Sequence, residues 1–245
     1  NPRSNSYEKL KANKIRGVTS EGMICSELEL GIGEDHNGIL ILPAETAVGT
    51  NIESILSDMI LDVELTPNRV DCYSVTGIAR EISALTGQAL CLPNLDFPSG
   101  NTDVPLSINI EAPDLCPRYT GAIIKNVTIQ ESPEWLKDRL AKSGLNPINN
   151  IVDITNFVMY ELNQPMHAFD LNTIPNGIIK VRRAVKDEPL TLLDGQSLKL
   201  DSDTLVIADD TKPIALAGIM GGQNTQITSS TTDILLEAAT FNGFN

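Results

Sequence analysis

The sequence predicts an α+β fold of mixed and antiparallel sheets with a few helices. Three observations carry that expectation. Helical periodicity belongs to the part of the chain before Pro165. Short apolar runs separated by turn residues crowd the part from Ile178 to Ala238. No strand–helix–strand unit repeats, which argues against a doubly wound parallel sheet.

Taken in order, residues 1 to about 55 read as part of a β-rich unit. Gly17, Gly22, Gly31, Gly33 and Gly38 punctuate apolar runs such as Gly38-Ile39-Leu40-Ile41-Leu42-Pro43. Leu61-Asp62-Val63-Glu64-Leu65 alternates as a short strand, with Asp62 and Glu64 on one face as a possible cation pair or a solvated edge. A helix follows: Asp71 can cap it, Val75, Ile78, Ala79, Ile82 and Leu85 form its apolar face, and Gly87 ends it. Pro93-Asn94 and Pro98-Ser99-Gly100-Asn101 form a linker and a domain boundary.

Beyond the linker, Val104 to Ile110 alternates as a strand, and Pro105 places it at a sheet edge. Arg118 to Val127 is a second strand. Ser132-Pro133-Glu134 reads as a helix start with Ser as N-cap, running through Trp135, Leu136 and Leu140 to Gly144. Asn146 to Leu162 carries a helical apolar stripe at Ile148, Ile151, Val152, Thr155, Val158, Met159 and Leu162. Its other stripe, Asn149, Asp153, Asn156 and Tyr160, is polar but nearly uncharged, unlike an ordinary solvated face. Pro165 stops this helix, so Gln164 to Asp170 leaves as a turn or loop carrying His167. Strands are then expected at Ile178–Val181, Leu190–Leu193, Leu205–Ile207, Ile214–Leu216 and Ile234–Ala238, with turns at Asp194-Gly195, Asp209-Asp210 and Gly221-Gly222.

Composition narrows the functional classes. The 245 residues allow a substantial core, and 41% hydrophobic with 20% charged content is ordinary for a soluble globular protein. No apolar run reaches the roughly 20 residues of a membrane span, and the first residues lack the apolar centre of a signal peptide. The chain opens without Met, which suggests a piece of something longer. A net charge of −14 opposes nonspecific nucleic-acid binding, so any such contact must be local or supplied by a partner. Lys9-Lys11-Lys14-Arg16 and Lys180-Arg182-Arg183 are the basic clusters, read either as solvated faces or as local contacts. Cys25, Cys72, Cys91 and Cys116 are scattered, with neither zinc spacing nor a CxxC pair, and fit a reducing compartment.

Few residues are candidates for chemistry. Glu237 stands in the otherwise apolar Ile234-Leu235-Leu236-Glu237-Ala238-Ala239, so it is either ion-paired or held in a pocket to accept a ligand hydrogen bond. His167 can donate, accept or move a proton near neutral pH, and Asn156 offers a donor and an acceptor. Ala217-Gly218-Ile219-Met220-Gly221-Gly222 lets backbone N–H groups approach a ligand, or is simply a tight turn after a strand. It lacks the spacing of a phosphate loop or dinucleotide fingerprint, and no GxSxG or HExxH is present, so a hydrolase here would use water.

Six segments in order resemble the beta subunit of bacterial phenylalanine–tRNA ligase. They are Arg16 to Ser26, Glu64-Leu65-Thr66-Pro67-Asn68-Arg69, Asn149 to Asn156, Gln164 to Asp170, Ala217 to Gly222 and Leu235-Leu236-Glu237. The resemblance implies three pieces: residues 1–57 as the C-terminal part of an OB-like tRNA-binding barrel, 58–95 as a small linking module, and 100–245 as an editing module. It implies hydrolysis of tyrosine misattached to the phenylalanine tRNA. Glu237 would contact the para-hydroxyl, Gly218 and Gly221 would line the pocket, and His167 and Asn156 would orient the ester, the terminal adenosine or a water. It implies an alpha subunit and tRNA(Phe) as partners, a cytoplasmic location, and neither membrane nor DNA. ATP and magnesium would serve the holoenzyme elsewhere, leaving no cofactor or metal here and no aminoacylation by this piece alone. One departure stands out: Asn146 occupies the place where the family usually carries Arg, which favours the alternative of a docking module whose editing has decayed.

Overall fold

The computed structural model describes residues 10–33, 35–56, 58–97, 100 and 104–243. The chain divides into two compact units, Asn1–Leu61 and Asp62–Asn245.

In the first unit, β1 (Asn13–Ile15) and β2 (Val18–Ser20) form an antiparallel hairpin. Its two-residue turn holds Arg16 and Gly17 at φ of 50° and 86°, the left-handed pair that matches strand twist. Helix α1 (Glu27–Leu30) starts on a reciprocal cap between Ser26 and Glu29 and stops at Gly31, and α2 (Ile52–Leu56) follows. Of the β-rich unit expected here, the described residues hold one hairpin and two short helices, and no closed barrel. Ile39 and Ile41 are exposed and the Ile39–Leu42 run is in no strand; its Leu40 N–H donates to the Cys25 carbonyl at 2.9 Å. Lys9 of the first basic cluster lies outside the described residues.

The second unit begins with a stretch that the alternating pattern misread. Leu61 to Leu65 forms no strand, having no partner ladder. Helix α3 (Val75–Thr86) is capped by Ser74, whose hydroxyl accepts from Gly77 N at 3.0 Å, and ends at Gly87 as expected. Asp71 is not the cap. It sits in the single turn Val70–Cys72 and pairs with Arg69. Of the Pro98–Asn101 linker only Gly100 is described.

The remaining elements are β3 (Ser107–Ile110), β4 (Arg118–Ile124), α4 (Glu134–Lys142), α5 (Asn150–Leu162), β5 (His167–Asp170), β6 (Ile178–Arg183), β7 (Glu188–Thr191), β8 (Ser197–Leu200), β9 (Leu205–Ala208), β10 (Pro213–Leu216), β11 (Met220–Gly221) and β12 (Ile234–Thr240). They make a five-stranded sheet in the order β11-β10-β9-β6-β3, a three-stranded antiparallel sheet β4-β12-β5, and the hairpin β7–β8. Strand β3 is the edge strand that Pro105 suggests, joined to β6 in parallel, while the other pairs are antiparallel. The α+β class expected from the sequence is what the chain adopts.

Side-chain alternation sorts the three-stranded sheet into two faces. Register places Tyr119 opposite Ala239, Gly121 opposite Glu237, and Ile123 opposite Leu235, while His167 and Phe169 stand opposite Glu237 and Leu235 from the other side. These residues share the inner face. There Tyr119, Phe169 and Leu235 pack with Ile179, Val181, Ile207 and Ile214 of the larger sheet into the main core. The outer face is covered by α5, where Ile151 clusters with Ala168 and Ile234. Burial on the main core's scale is worth roughly 1.5–3 kcal/mol per large side chain.

Two helix starts differ from the sequence reading, for one reason. Ser132 does not cap α4. Its hydroxyl donates to Asp153 Oδ2 at 2.5 Å. Asp153 Oδ1 also accepts from Ile148 N at 2.8 Å, and Asp153 is 0% exposed. Asn149 caps α5 instead, its Oδ1 accepting from Ile151 N and Val152 N at 3.1 Å each. Thus the uncharged polar stripe of this helix is partly a structural device that fastens α4's lead-in to α5. Trp135 and Phe157 complete that junction edge to face at 5.6 Å. Asp153→Ala would leave a buried hydroxyl and a part-buried N–H unpaired. It should cost about 2–4 kcal/mol and lower the melting temperature by about 4–16 °C, read by calorimetry. An unchanged melting temperature would show the pairing to be dispensable.

Candidate functional site

A cavity of about 450 Å³ opens where the inner faces of the two sheets part, beyond Phe169 and Leu235. Its walls include His167, Glu237, Gly218 and Gly221, together with Met166, Ile207, Ala215 and Phe241. His167 is not in a loop as expected: it opens β5, and register sets it directly across from Glu237. The strand was hidden because His167-Ala168-Phe169-Asp170 is closed off on both faces, which removes any alternation.

Glu237 is 6% exposed. The Tyr119 hydroxyl donates to its Oε2 at 3.0 Å, which leaves Oε1 without a hydrogen-bond partner among the described protein groups. Burial pushes the Glu237 carboxyl up to about 7, against the lowering effect of the Tyr119 hydrogen bond. Burial likewise pushes His167 down to about 4, so its imidazole is neutral at physiological pH. The same burial, with Glu237 alongside, raises the Tyr119 phenol far above its ordinary value and keeps it a donor. The ring of His167 packs edge to face on Phe169 at 4.6 Å.

The glycines are required by space. Gly218 has φ of 69°, and a Cβ there would stand 3.0 Å from the Phe241 ring. Gly221 lies in β11, not in the turn assigned from Gly221-Gly222; the turn is at Gly218-Ile219. A Cβ on Gly221 would meet His167 Nε2 at 2.5 Å. Gly221→Ala should therefore displace the imidazole, read as a shift of the His167 ring resonances by NMR. Unmoved resonances would show that Gly221 does not fix the ring.

Asn156 is a correction. It lies half-buried on α5 and is not among the residues that line the cavity. The expectation that an imidazole, a carboxamide and an acid share one hollow is met by the first and third only. Tyr119 is the functional side chain that the sequence reading passed over. Its signal was present, since alternation along Arg118–Ile124 puts it on the inner face two residues from Gly121.

Asp71, Cys72 and Glu81 bring three ligand-type atoms within 4.8 Å of one another, and Arg69 already pairs with this group. Its Nη2 lies 3.0 Å from Asp71, 2.6 Å from Glu81 and 3.2 Å from the Cys72 thiol. Asp62 and Glu64 are exposed and belong to no such cluster among the described residues. No helix among the described residues is long and apolar enough to cross a membrane.

The two packed sheets, with the buried acid and imidazole at their open end, lie largely within residues that match one family model. The model of the B3/4 domain matches residues 115–245, and the chain belongs to that family. Residues 7–51 match a second model, described as "Putative tRNA binding domain". Across both, the chain is similar to phenylalanine–tRNA ligase beta subunits. It is 50% identical over 238 residues to that of Carboxydothermus hydrogenoformans, covering 95% of this chain and 30% of the relative. It is 50% identical over 237 residues to that of Fusobacterium nucleatum, with the same two coverages of 95% and 30%. The chain thus spans about 30% of the length of the curated relatives it matches. Among solved structures, an N-terminal fragment of the phenylalanyl-tRNA synthetase beta subunit from Pyrococcus horikoshii has a TM-score of 0.41 at 17% identity, over 72% of this chain and 54% of that one. The resemblance carried by the six sequence segments therefore holds over nearly the whole chain.

Proposed function

We propose that this chain is part of a phenylalanine–tRNA ligase beta subunit and that its cavity hydrolyses tyrosine wrongly esterified to tRNA(Phe). The observation that carries this reading is Glu237: a carboxylate held by Tyr119 on one oxygen, with the other unpaired, inside a hollow whose remaining walls are mostly apolar. Such a hollow suits an aromatic side chain with one polar tip. The tyrosine ring would lie among Met166, Ile207 and Ala215, and its hydroxyl would donate to Glu237 Oε1. Phenylalanine would leave that oxygen buried and unpaired, which is where discrimination arises.

Chemistry would fall to water. The water oxygen attacks the ester carbonyl, the carbonyl–ribose bond breaks, and the ribose oxygen leaves with a proton. His167, neutral and fixed by Phe169 and Gly221, is suited to orienting that water but is a weak base. A hydroxyl on the ribose beside the ester can help carry the proton. The same reading carries a wider setting: an alpha subunit and tRNA(Phe) as partners, charging with ATP and magnesium elsewhere, and work in the cytoplasm.

Asn146 in place of the family's Arg, and Asn156 lying outside the cavity, favour a second reading in which the module docks tRNA without editing. Deacylation of tyrosyl-tRNA(Phe) separates the two. Release of tyrosine well above the uncatalysed rate supports editing, and background release with retained tRNA binding supports docking.

A further inference from the structure

We propose that Arg118 marks a phosphate subsite: a groove running out of the cavity takes the phosphodiester next to the esterified nucleotide. The proposal rests on the reading of the cavity as an aminoacyl-ester site.

Strand β5 pairs with β12 only from Ile234 to Glu237, whereas β4 pairs with it as far as Thr240. Past Glu237, β12 has no described strand on its β5 side. At that open flank the cavity meets a groove of about 330 Å³ walled by Arg118, Thr120, Gln164, Ala238, Ala239 and Thr240. Gln164, Ala239 and Thr240 belong to both walls, so the two spaces flank the same open edge of β12. Alternation puts Arg118 and Thr120 on the sheet face opposite to Glu237, so a substrate with its ring at Glu237 would carry its tail around the strand edge toward the guanidinium.

Charge decides the direction. A second opening, of about 700 Å³, shares Gly218, Ile219 and Phe241 with the cavity, but its walls carry Asp201 and Asp203 against a single Lys199. The Arg118 groove has no carboxylate in its wall. Arg118 is in no ion pair among the described residues, unlike Arg182 and Arg183 on the larger sheet. In a chain of net charge −14, an anionic tail meets repulsion at one exit and an uncommitted guanidinium at the other. Arginine's planar fork matches two phosphate oxygens, which a lysine cannot reproduce.

The test compares two substrates on the intact protein: the tyrosyl ester of adenosine, and the same ester at the 3′ end of an oligoribonucleotide. Arg118→Ala should raise KM for the oligonucleotide about three- to tenfold at unchanged kcat. It should lessen the slope of log affinity on log salt by about 0.7 and leave the adenosine ester untouched. Arg118→Lys should recover part of the loss. Equal effects on both substrates, or none on either, would overturn the subsite. Should neither ester be hydrolysed, the editing reading falls while the subsite is still judged by oligonucleotide binding. Binding weakened by Arg118→Ala upholds it, and binding indifferent to that change overturns it.

Discussion

Glu237→Ala is expected to collapse the preference for tyrosyl over phenylalanyl ester. A buried site that leaves a polar group unpaired when the hydroxyl is missing can discriminate by about 10⁴–10⁵. Removing the carboxylate removes the penalty on phenylalanine as well as the bond to tyrosine, so the ratio should fall by at least about 100-fold from both ends. The fall should not be complete. With Glu237 gone, the Tyr119 hydroxyl loses its acceptor and can donate to the incoming phenol. Combining Glu237→Ala with Tyr119→Phe should therefore erase what remains, while Tyr119→Phe alone, which frees the carboxylate to turn, should have an intermediate effect. Paired deacylation rates on tyrosyl- and phenylalanyl-tRNA give the ratio directly. Its persistence in the alanine variant would remove Glu237 from substrate selection and with it the central part of the proposed function.

How far the sequence carried this site depended on the range of each interaction. Glu237 was legible because one acid in an apolar strand violates a local pattern, and such a violation is visible without any fold. His167 was legible as an unusual residue but not as a strand residue, since β5 exists only through its pairing with β12, more than sixty positions away. The same holds for Tyr119, whose hydroxyl finds an acceptor 118 positions along the chain. Asn156 misled for the opposite reason. A polar helix stripe is a local signal, but its cause here was Asp153 fastening Ser132 and Ile148 rather than a shared hollow. The stops of α3 and α5 were readable, because Gly87 and the residues before Pro165 end these helices by local backbone constraint. The early apolar runs were not: Ile39 to Leu42 has strand composition but lies in no strand.

The stability of the module should carry a concealed pH dependence, because the two site residues titrate in opposing senses. Glu237 has its folded value raised from 4.5 to about 7. Between those values the unfolded chain has released the proton that the folded chain keeps, so stability falls as pH rises across that window. His167 has its folded value lowered from 6.5 to about 4. Between those values the unfolded chain holds the proton that the folded chain has lost, so stability rises with pH there. Each effect is on the order of 3 kcal/mol, and from pH 4.5 to 6.5 they nearly cancel. Glu237→Gln should expose the histidine: relative to the parent, its unfolding free energy should climb by on the order of 3 kcal/mol between pH 4.5 and 7. His167→Gln should do the reverse, losing a similar amount relative to the parent between pH 4 and 6.5. Urea unfolding at half-unit pH steps measures both differences, and subtracting the parent removes every other titrating group. Two flat difference curves would mean that neither side chain is desolvated by the closing sheets. The cavity would then be wet at its inner end, and a water-filled hollow could not hold the unpaired carboxylate oxygen on which tyrosine selection depends.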